Sequence, residues 1–127
     1  LDAVEKIFPE AEHTIYQRQL VEKALQFAKS DMDDLTAIET LGGGWVGEEA
    51  LAIALYCALK YQNDFSACIR AAVNHDGDSD STGAIAGNLL GAWLGVRGIG
   101  LEWLEPLEDA IETMARQLCE VAKEQGL

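Results

Sequence analysis

Residues 74–95 read NHDGDSDSTGAIAGNLLGAWLG, and within them a polar, aspartate-rich loop is followed by a run of small and apolar residues. The second part predicts a helix from Ser81 or Thr82 to about Leu94. Glycine recurs at every fourth position of this helix, at Gly83, Gly87, Gly91 and Gly95. Each interior glycine costs about 1 kcal/mol relative to alanine, which is tolerable where another helix packs at close range. We therefore expect a buried central helix that fixes the loop before it. A membrane span is disfavoured, because the apolar run is shorter than the about 20 residues that a span needs.

The rest of the chain shows the same helical spacing of apolar residues and few alternating, strand-like patterns. Four further stretches predict helices, over residues 16–30, 46–61, 64–73 and 107–122. Irregular segments are expected at 31–44, 75–81 and 96–106. Because no repeat or linker divides the chain, residues 1–127 are interpreted as a single helical domain or fragment. The expected fold is all-α, an orthogonal or irregular bundle of about six helices.

The composition is typical of a folded protein in a reducing compartment. The chain has 127 residues, 49% hydrophobic and 24% charged, which is enough for a core without disulfides. Its net charge of −13 repels phosphate backbones and anionic lipids, so nucleic-acid and membrane-surface partners are disfavoured. The three cysteines form no C-x-x-C pair and are expected to be reduced, in or near the core. With no signal peptide visible, we expect a cytoplasmic protein.

The acidic loop carries three alternating aspartates, Asp76, Asp78 and Asp80. Carboxylates that converge on a short loop are the oxygen ligands that hard divalent cations take. The alternative is a helix N-cap, in which Ser81 or Asp80 caps the helix and its dipole favours the nearby anions. Capping explains one or two of the aspartates but not all three, so an incomplete metal site is favoured. A calcium EF-hand is excluded, since its sixth-position glycine would be Ser81 and its twelfth-position glutamate would be Gly87.

A second loop, LGGGWVGEE at residues 41–49, has three consecutive glycines that permit positive φ angles and close approach of a ligand. It is not a Walker loop, since no Gly-Lys-Ser/Thr follows, and not a dinucleotide fingerprint, since no strand pattern precedes it. Trp45 could stack on a nucleobase or ribose, or simply pack at the helix start. From the residues alone, a flexible connector before the acids Glu48 and Glu49, which favour a helix N-terminus, explains the loop as well as a ligand site does.

Together, GGGWVGEEALAIALYCAL and AVNHDGDSDSTGAIAGNLLGAWLG resemble the C-terminal part of the ADP-ribosylglycohydrolase family. This family includes the dinitrogenase-reductase-activating glycohydrolases and the ADP-ribosyl-arginine and ADP-ribosyl-serine hydrolases. The resemblance covers about residues 35–110. It implies a larger all-α fold, two Mg²⁺ or Mn²⁺ ions, and cleavage of the glycosidic bond between ADP-ribose and an acceptor. The expected partners are ADP-ribosylated substrates, whose acceptor is a protein side chain or a small molecule, or ADP-ribose itself.

The resemblance also implies roles for individual residues. The D-x-D-S/T metal ligands of the family correspond to Asp78, Asp80 and Ser81. Its nucleotide-pocket turn corresponds to Gly43, Gly44 and Trp45. Many members have Gly or Ser in place of Asp76, so this residue is expected to lie outside the coordination shell. Glu48 and Glu49 are weaker candidates for the pocket.

The N-terminal half of the family has no counterpart in these residues. That half carries a G-D-A-x-G-type segment and a T-D-D-T-type run with the remaining metal ligands, and neither occurs here. Asp33 and Asp34, in SDMDDLT, lie just before the glycine loop, which is the wrong position for the second run. The catalytic residues are therefore unknown. A loop histidine is usually bound to backbone or solvent, so we do not expect His75 to act as a general base.

Three functions stay open at this point. The first is half of a hydrolase site within a longer chain, which on its own is expected to be inactive. The second is a non-catalytic module that binds metal or ADP-ribose. The third is a folding unit that forms a homo-oligomer or pairs with the missing half, and so covers the glycine-striped helix where this chain alone would leave it exposed.

Overall fold

The computed structural model describes residues 12–124, with every side chain from 15 to 105 and some of those beyond. Within this range the chain forms six α-helices and one 3-10 turn and no strand, so the all-α prediction is confirmed. The helices are α1 (Glu12–Phe27), α2 (Asp34–Leu41), α3 (Gly47–Lys60), α4 (Phe65–Val73), α5 (Ser79–Leu94) and α6 (Leu101–Glu124). The 3-10 turn covers Val96–Gly98.

Two segments that were expected to be irregular contain helix. Helix α2 lies within residues 31–44, where Asp33 caps it by accepting the N–H of Thr36 at 3.1 Å. Helix α6 begins at Leu101 and has Pro106 within it. A proline inside a helix deprives the carbonyl four residues earlier of its donor. Here that earlier residue is Glu102, which is exposed, so water can donate to its carbonyl in place of the missing N–H group.

The core is built around α3, which packs against α1, α4 and α5. Its Ile53 and Tyr56 are fully buried, and they share one apolar cluster with Ile38 of α2 and Leu90 of α5. The expectation that the glycine-striped helix α5 is the central one was wrong. Only one of its faces is buried, and Trp93 on the other face is 74% exposed.

The glycines of α5 nevertheless allow the close packing that was predicted, and the partner is α4. A Cβ atom at Gly83 would overlap the side chain of Val73, and one at Gly87 would lie 3.3 Å from Ile69. Gly95 has a different role, because it ends the helix with a φ of +67°. The stripe thus holds α5, and the loop before it, firmly against α4.

Helix α6 is anchored to this body through its first turn. The indole Nε1 of Trp103 donates to the hydroxyl of Ser66 at 2.8 Å, and its ring meets Phe65 edge to face at 5.8 Å. Three apolar side chains farther along α6 are exposed, namely Ile111, Met114 and Val121. A large part of the apolar stripe of this helix therefore faces outward.

The cysteines are free thiols. Cys57 and Cys68 are buried as expected, whereas Cys119 on α6 is exposed, so its placement near the core was wrong. Among the helices that the structure describes, none combines the length and the apolar character that crossing a membrane requires.

Candidate functional site

The two loops that the sequence singled out lie against each other. The N–H of Asp78 donates to the carbonyl of Gly43 at 2.8 Å. Gly77 passes so close to Gly43 that a Cβ atom on it would overlap that carbonyl group. The glycine loop (residues 42–46) and the aspartate loop (residues 74–78) therefore form one continuous surface. It is built where α2 and α4 end and where α3 and α5 begin.

The glycine loop is shaped by positive φ angles and by one carboxylate. Gly42 follows α2 with a φ of +129° and Gly44 has a φ of +74°, conformations that residues with a Cβ rarely adopt. The N–H groups of Gly43 and Gly44 both donate to Oε2 of Glu49, each at 3.1 Å. Specific hydrogen bonds thus hold the loop, which does not behave as a mere connector.

The aspartate loop leads into α5, which begins at Ser79 and not at Ser81 or Thr82 as predicted. Asp80 and Ser81 therefore lie inside the first turn, and the alternative in which one of them caps the helix is wrong. Asp78 occupies the cap position but makes no side-chain cap hydrogen bond. The neighbouring side chains of Asp80 and Ser81 lower the pKa of the Asp78 carboxyl group. The three side chains are thus neighbours at the start of α5.

These neighbours offer two carboxylates and one hydroxyl, which are hard oxygen donors of the kind that Mg²⁺ and Mn²⁺ prefer. Among the side chains that the structure describes, no group of three or more His, Cys, Asp and Glu residues lies close enough to hold a metal ion. Asp78, Asp80 and Ser81 therefore fit part of an octahedral shell, in which Mg²⁺ commonly keeps several waters. A complete site would need ligands from elsewhere.

His75 is engaged on both sides of its ring. Its Nδ1 accepts the N–H of Gly77 at 3.1 Å, so the proton of the neutral ring lies on Nε2. This Nε2 is 3.0 Å from Oγ1 of Thr82 and 3.1 Å from the carbonyl of Ala72. Thr82 is fully buried and donates to the same carbonyl at 2.7 Å. His75 thus holds the aspartate loop to α4 and α5, in keeping with the expected backbone contact.

A cavity of about 280 Å³ opens between the two loops. Eight residues line it, namely Ile38, Glu39, Gly42, Gly43, Trp45, His75, Asp76 and Gly77. Trp45 is 72% exposed, so its ring does not pack into the helix start and can receive a planar ligand. Of the residues predicted for the nucleotide pocket, Gly43 and Trp45 line this cavity, whereas Gly44 is buried. Asp76 and Glu39 place two acidic residues at its wall.

Two residues of the site have roles that sequence reasoning missed. Glu49 was placed with the acids that favour a helix N-terminus, yet its carboxylate holds the glycine loop. Gly77 was assigned no role from the sequence, yet it is the point where the loops touch. The first role had a possible signal, an acid that follows three glycines by five residues. The second had none, because it depends on a contact between segments far apart in the sequence.

Comparison with known proteins agrees with the resemblance seen in the two motifs. A stretch of 53 residues is 43% identical to the ADP-ribosyl-[dinitrogen reductase] glycohydrolase of Rhodospirillum rubrum. This match covers 42% of the chain and only 18% of that relative. No solved structure matches the chain. The sequence model of the ADP-ribosylglycohydrolases, however, matches residues 1–127, the whole of the chain. The chain therefore belongs to the ADP-ribosylglycohydrolase family.

Proposed function

We propose that this chain forms one wall of a metal-dependent active site that hydrolyses the glycosidic bond between ADP-ribose and an acceptor. The acceptor is a protein side chain or a small molecule. The observation that carries the proposal is the hydrogen bond between the Asp78 N–H and the Gly43 carbonyl. It joins the expected metal ligands to the expected nucleotide pocket, in a chain that belongs to the ADP-ribosylglycohydrolase family.

In this proposal, Asp78, Asp80 and Ser81 hold Mg²⁺ or Mn²⁺ at the start of α5, and a second ion completes the site. Such cations supply Lewis acidity, which makes water a better nucleophile at neutral pH and offsets developing charge. The remaining ligands and the general acid/base come from protein segments outside these residues. His75 is not assigned that role, because both of its ring nitrogens are engaged within the fold.

The charge of the cavity supports the need for a cation. Glu39 and Asp76 line it, and the chain carries a net charge of −13. These carboxylates repel the diphosphate of ADP-ribose, and a divalent cation relieves that repulsion. Trp45 then supplies an uncharged contact to the ligand, by stacking on its adenine or ribose.

Metal binding is tested by titrating Mn²⁺ into the protein and following the relaxation of water protons. We expect weak binding in the wild type, because two carboxylates and a hydroxyl leave most of the octahedron to water. Asp78→Asn and Asp80→Asn should each abolish this binding. The matched control is Asp76→Asn, two residues before Asp78, which should weaken the binding only modestly. Equal losses in all three variants would show that Asp76 is as much a metal ligand as Asp78 and Asp80. No Mn²⁺ binding by the wild type would contradict the proposed site.

The second candidate is a module that binds metal or ADP-ribose without catalysis. The engagement of His75 favours it, since both ring nitrogens of this cavity residue are bound within the fold. An assay with ADP-ribosyl-arginine and ADP-ribosyl-serine peptides in the presence of Mg²⁺ tests whether the chain is catalytic on its own. We expect no turnover by the 127-residue chain alone. Turnover that disappears in Asp80→Ala would show that the chain holds a complete active site.

We place the proposed activity in the cytoplasm, since the three free thiols are compatible with a reducing compartment. Self-association also stays a prediction. The exposed apolar residues of α6 and Trp93 support it, and sedimentation at high protein concentration would test it. A monomer under those conditions would contradict it.

A further inference from the structure

Two backbone N–H groups of the glycine loop already donate hydrogen bonds to an anionic side chain of this chain. Those of Gly43 and Gly44 converge on a single oxygen, Oε2 of Glu49, at 3.1 Å each. Consecutive N–H groups that converge in this way, beside a glycine of positive φ such as Gly44, form the concave nest in which proteins commonly bind phosphate. In this loop, a carboxylate from the first turn of α3 fills the nest.

The carboxylate is closely fitted to the loop. A Cβ atom at Gly42 would overlap the carboxyl group of Glu49, so side chain and backbone are in direct contact there. Glu49 is also half-buried, and its hydrogen bonds are charge-assisted, which makes them stronger than bonds between neutral groups. The loop conformation therefore depends on this carboxylate as well as on its glycines.

The same carboxylate acts on the aspartate loop through Gly43. That residue donates its N–H to Glu49 and accepts the N–H of Asp78 with its carbonyl, at 2.8 Å. When Glu49 holds the Gly43 N–H, it fixes the residue whose carbonyl meets Asp78. The N–H of Gly44, which also donates to Glu49, belongs to the same peptide group as the Gly43 carbonyl, so the bonds to Glu49 and from Asp78 strengthen one another.

We propose that Glu49 is the resident anion of the glycine loop. It positions Asp78 through Gly43, and it closes the N–H groups of Gly43 and Gly44 to the phosphates of any ligand. The loop then recognises a nucleotide through Trp45 and the cavity wall, and other groups hold the diphosphate. This inference rests on the proposed function where it concerns nucleotides, and on geometry alone where it concerns Glu49, the loop and Asp78.

A tethered carboxylate is a strong competitor for this position. Its effective concentration near the loop is in the millimolar range or above, as for any group on a short tether. An external phosphate at lower concentration does not displace it, and entry of the phosphate beside Glu49 would bring two anions together. Removal of the carboxylate should therefore create a phosphate site that the wild type lacks.

The positioning role is tested by the amide signals in ¹H–¹⁵N NMR spectra of the wild type, Glu49→Gln and the control Glu22→Gln. Glu22 is an exposed acid on α1, so its variant changes charge by the same amount away from the loops. We expect Glu49→Gln to shift the amides of Gly43, Gly44 and Asp78, and Glu22→Gln to leave them in place. A Glu49→Gln protein that is less stable but keeps the wild-type Asp78 amide shift would overturn the role.

Closure to phosphate is tested by titrating inorganic phosphate to about 1 mM, the scale of the tethered competitor, into the wild type and Glu49→Ala. The amides of Gly43 and Gly44 should move with phosphate in Glu49→Ala and stay fixed in the wild type. Where Glu49→Ala does not fold, Glu49→Ser takes its place, because serine is uncharged and too short to reach the loop. Equal responses in wild type and variant, or none in either, would overturn the inference.

A parallel titration with ADP-ribose separates this inference from the proposed function. The indole signal of Trp45 should move, while the amides of Gly43 and Gly44 move least. A dominant shift of those two amides in the wild type would overturn the inference and leave the proposed function standing. If no signal responds to ADP-ribose, the proposed function fails, and the phosphate and Asp78 results still decide the role of Glu49.

Discussion

Helices α2 and α3 are joined at both ends by a carboxylate, and the two ends differ in what the carboxylate holds. At the start of α2, Asp34 accepts hydrogen bonds from the phenols of Tyr56 at 2.7 Å and Tyr61 at 2.6 Å, and pairs with Lys60 at 2.8 Å. At the end of α2, Glu49 accepts the backbone N–H groups of Gly43 and Gly44 in the glycine loop. One end is a cluster of side chains, and the other is a shaped stretch of backbone.

The two ends of α2 therefore differ in what they contribute, the Asp34 end to stability and the Glu49 end to binding. The Asp34 cluster is half-buried, and its groups serve one another, with the Lys60 ammonium also donating to the carbonyl of Met32 at 2.6 Å. At the Glu49 end the cavity opens and the indole of Trp45 is exposed. Helix α2 has eight residues, so the ends lie about 10 Å apart. We expect changes at the Asp34 end to affect folding, and changes at the Glu49 end to affect ligands.

The largest effect on stability is expected from Asp34→Ala. The variant leaves two phenols and an ammonium without their charged acceptor, which should reduce the free energy of unfolding by about 2–3 kcal/mol. Urea denaturation followed by circular dichroism measures this loss. Asp31→Ala, which removes an exposed aspartate from the same segment, should cost much less. If the two variants lose the same stability, the cluster contributes nothing beyond its charge. Affinity for ADP-ribose should be unchanged in folded Asp34→Ala protein.

Gly77→Ala should have the next largest effect, and it should reach both stability and binding. The new Cβ atom would overlap the carbonyl of Gly43, so the two loops must separate. Because the loops lie at the surface and can shift, we expect a loss of about 1–2 kcal/mol, the lower part of the range for overpacking. Mn²⁺ and ADP-ribose binding should also weaken. Gly47→Ala is the matched control, since nothing lies within 4 Å of a Cβ atom there. Gly77→Ala protein with wild-type binding would show that the contact between the loops is dispensable.

The two ends also differ in how far the sequence predicts them. The long, periodic helices α3 and α5 were predicted because apolar spacing is a local signal. The short helix α2 was missed, since a helix of its length depends on its cap and on packing rather than on propensity. The aspartates, Ser81 and the glycines were identified as motifs, yet their meeting at Gly43 and Asp78 was not. That contact joins segments 35 residues apart by backbone atoms, which carry no mark in the sequence.

The Asp34 cluster should also make stability depend on pH. Burial raises the pKa of Asp34, but hydrogen bonds from Lys60, Tyr61 and Tyr56 together lower it by more, so its pKa lies below the ordinary value. A pKa that is lower in the folded state than in the unfolded state stabilises the protein at pH values above the unfolded-state pKa. This stabilisation is lost as the pH falls through the folded-state pKa. Wild type and Asp34→Asn should therefore differ in urea midpoint at neutral pH and converge below about pH 4. A constant difference down to pH 2 would show that the charge of Asp34 is not what stabilises the cluster.

The smallest effect on stability is expected from Trp45→Ala, and it should come with a clear loss of binding. The indole is 72% exposed and fills no core position, so the free energy of unfolding should change by less than about 0.5 kcal/mol. A stacked aromatic ring contributes about 1–3 kcal/mol per base, so the Kd for ADP-ribose should rise roughly tenfold. Trp93→Ala is the control, because its indole is 74% exposed in the last turn of α5, away from the loop at the start of that helix, in a groove that α3 and α5 form. Calorimetric titration of both variants with ADP-ribose decides the matter. If Trp45→Ala binds as the wild type does, or if Trp93→Ala loses as much, the ligand does not stack on Trp45, and the Glu49 end of α2 is not where the nucleotide binds.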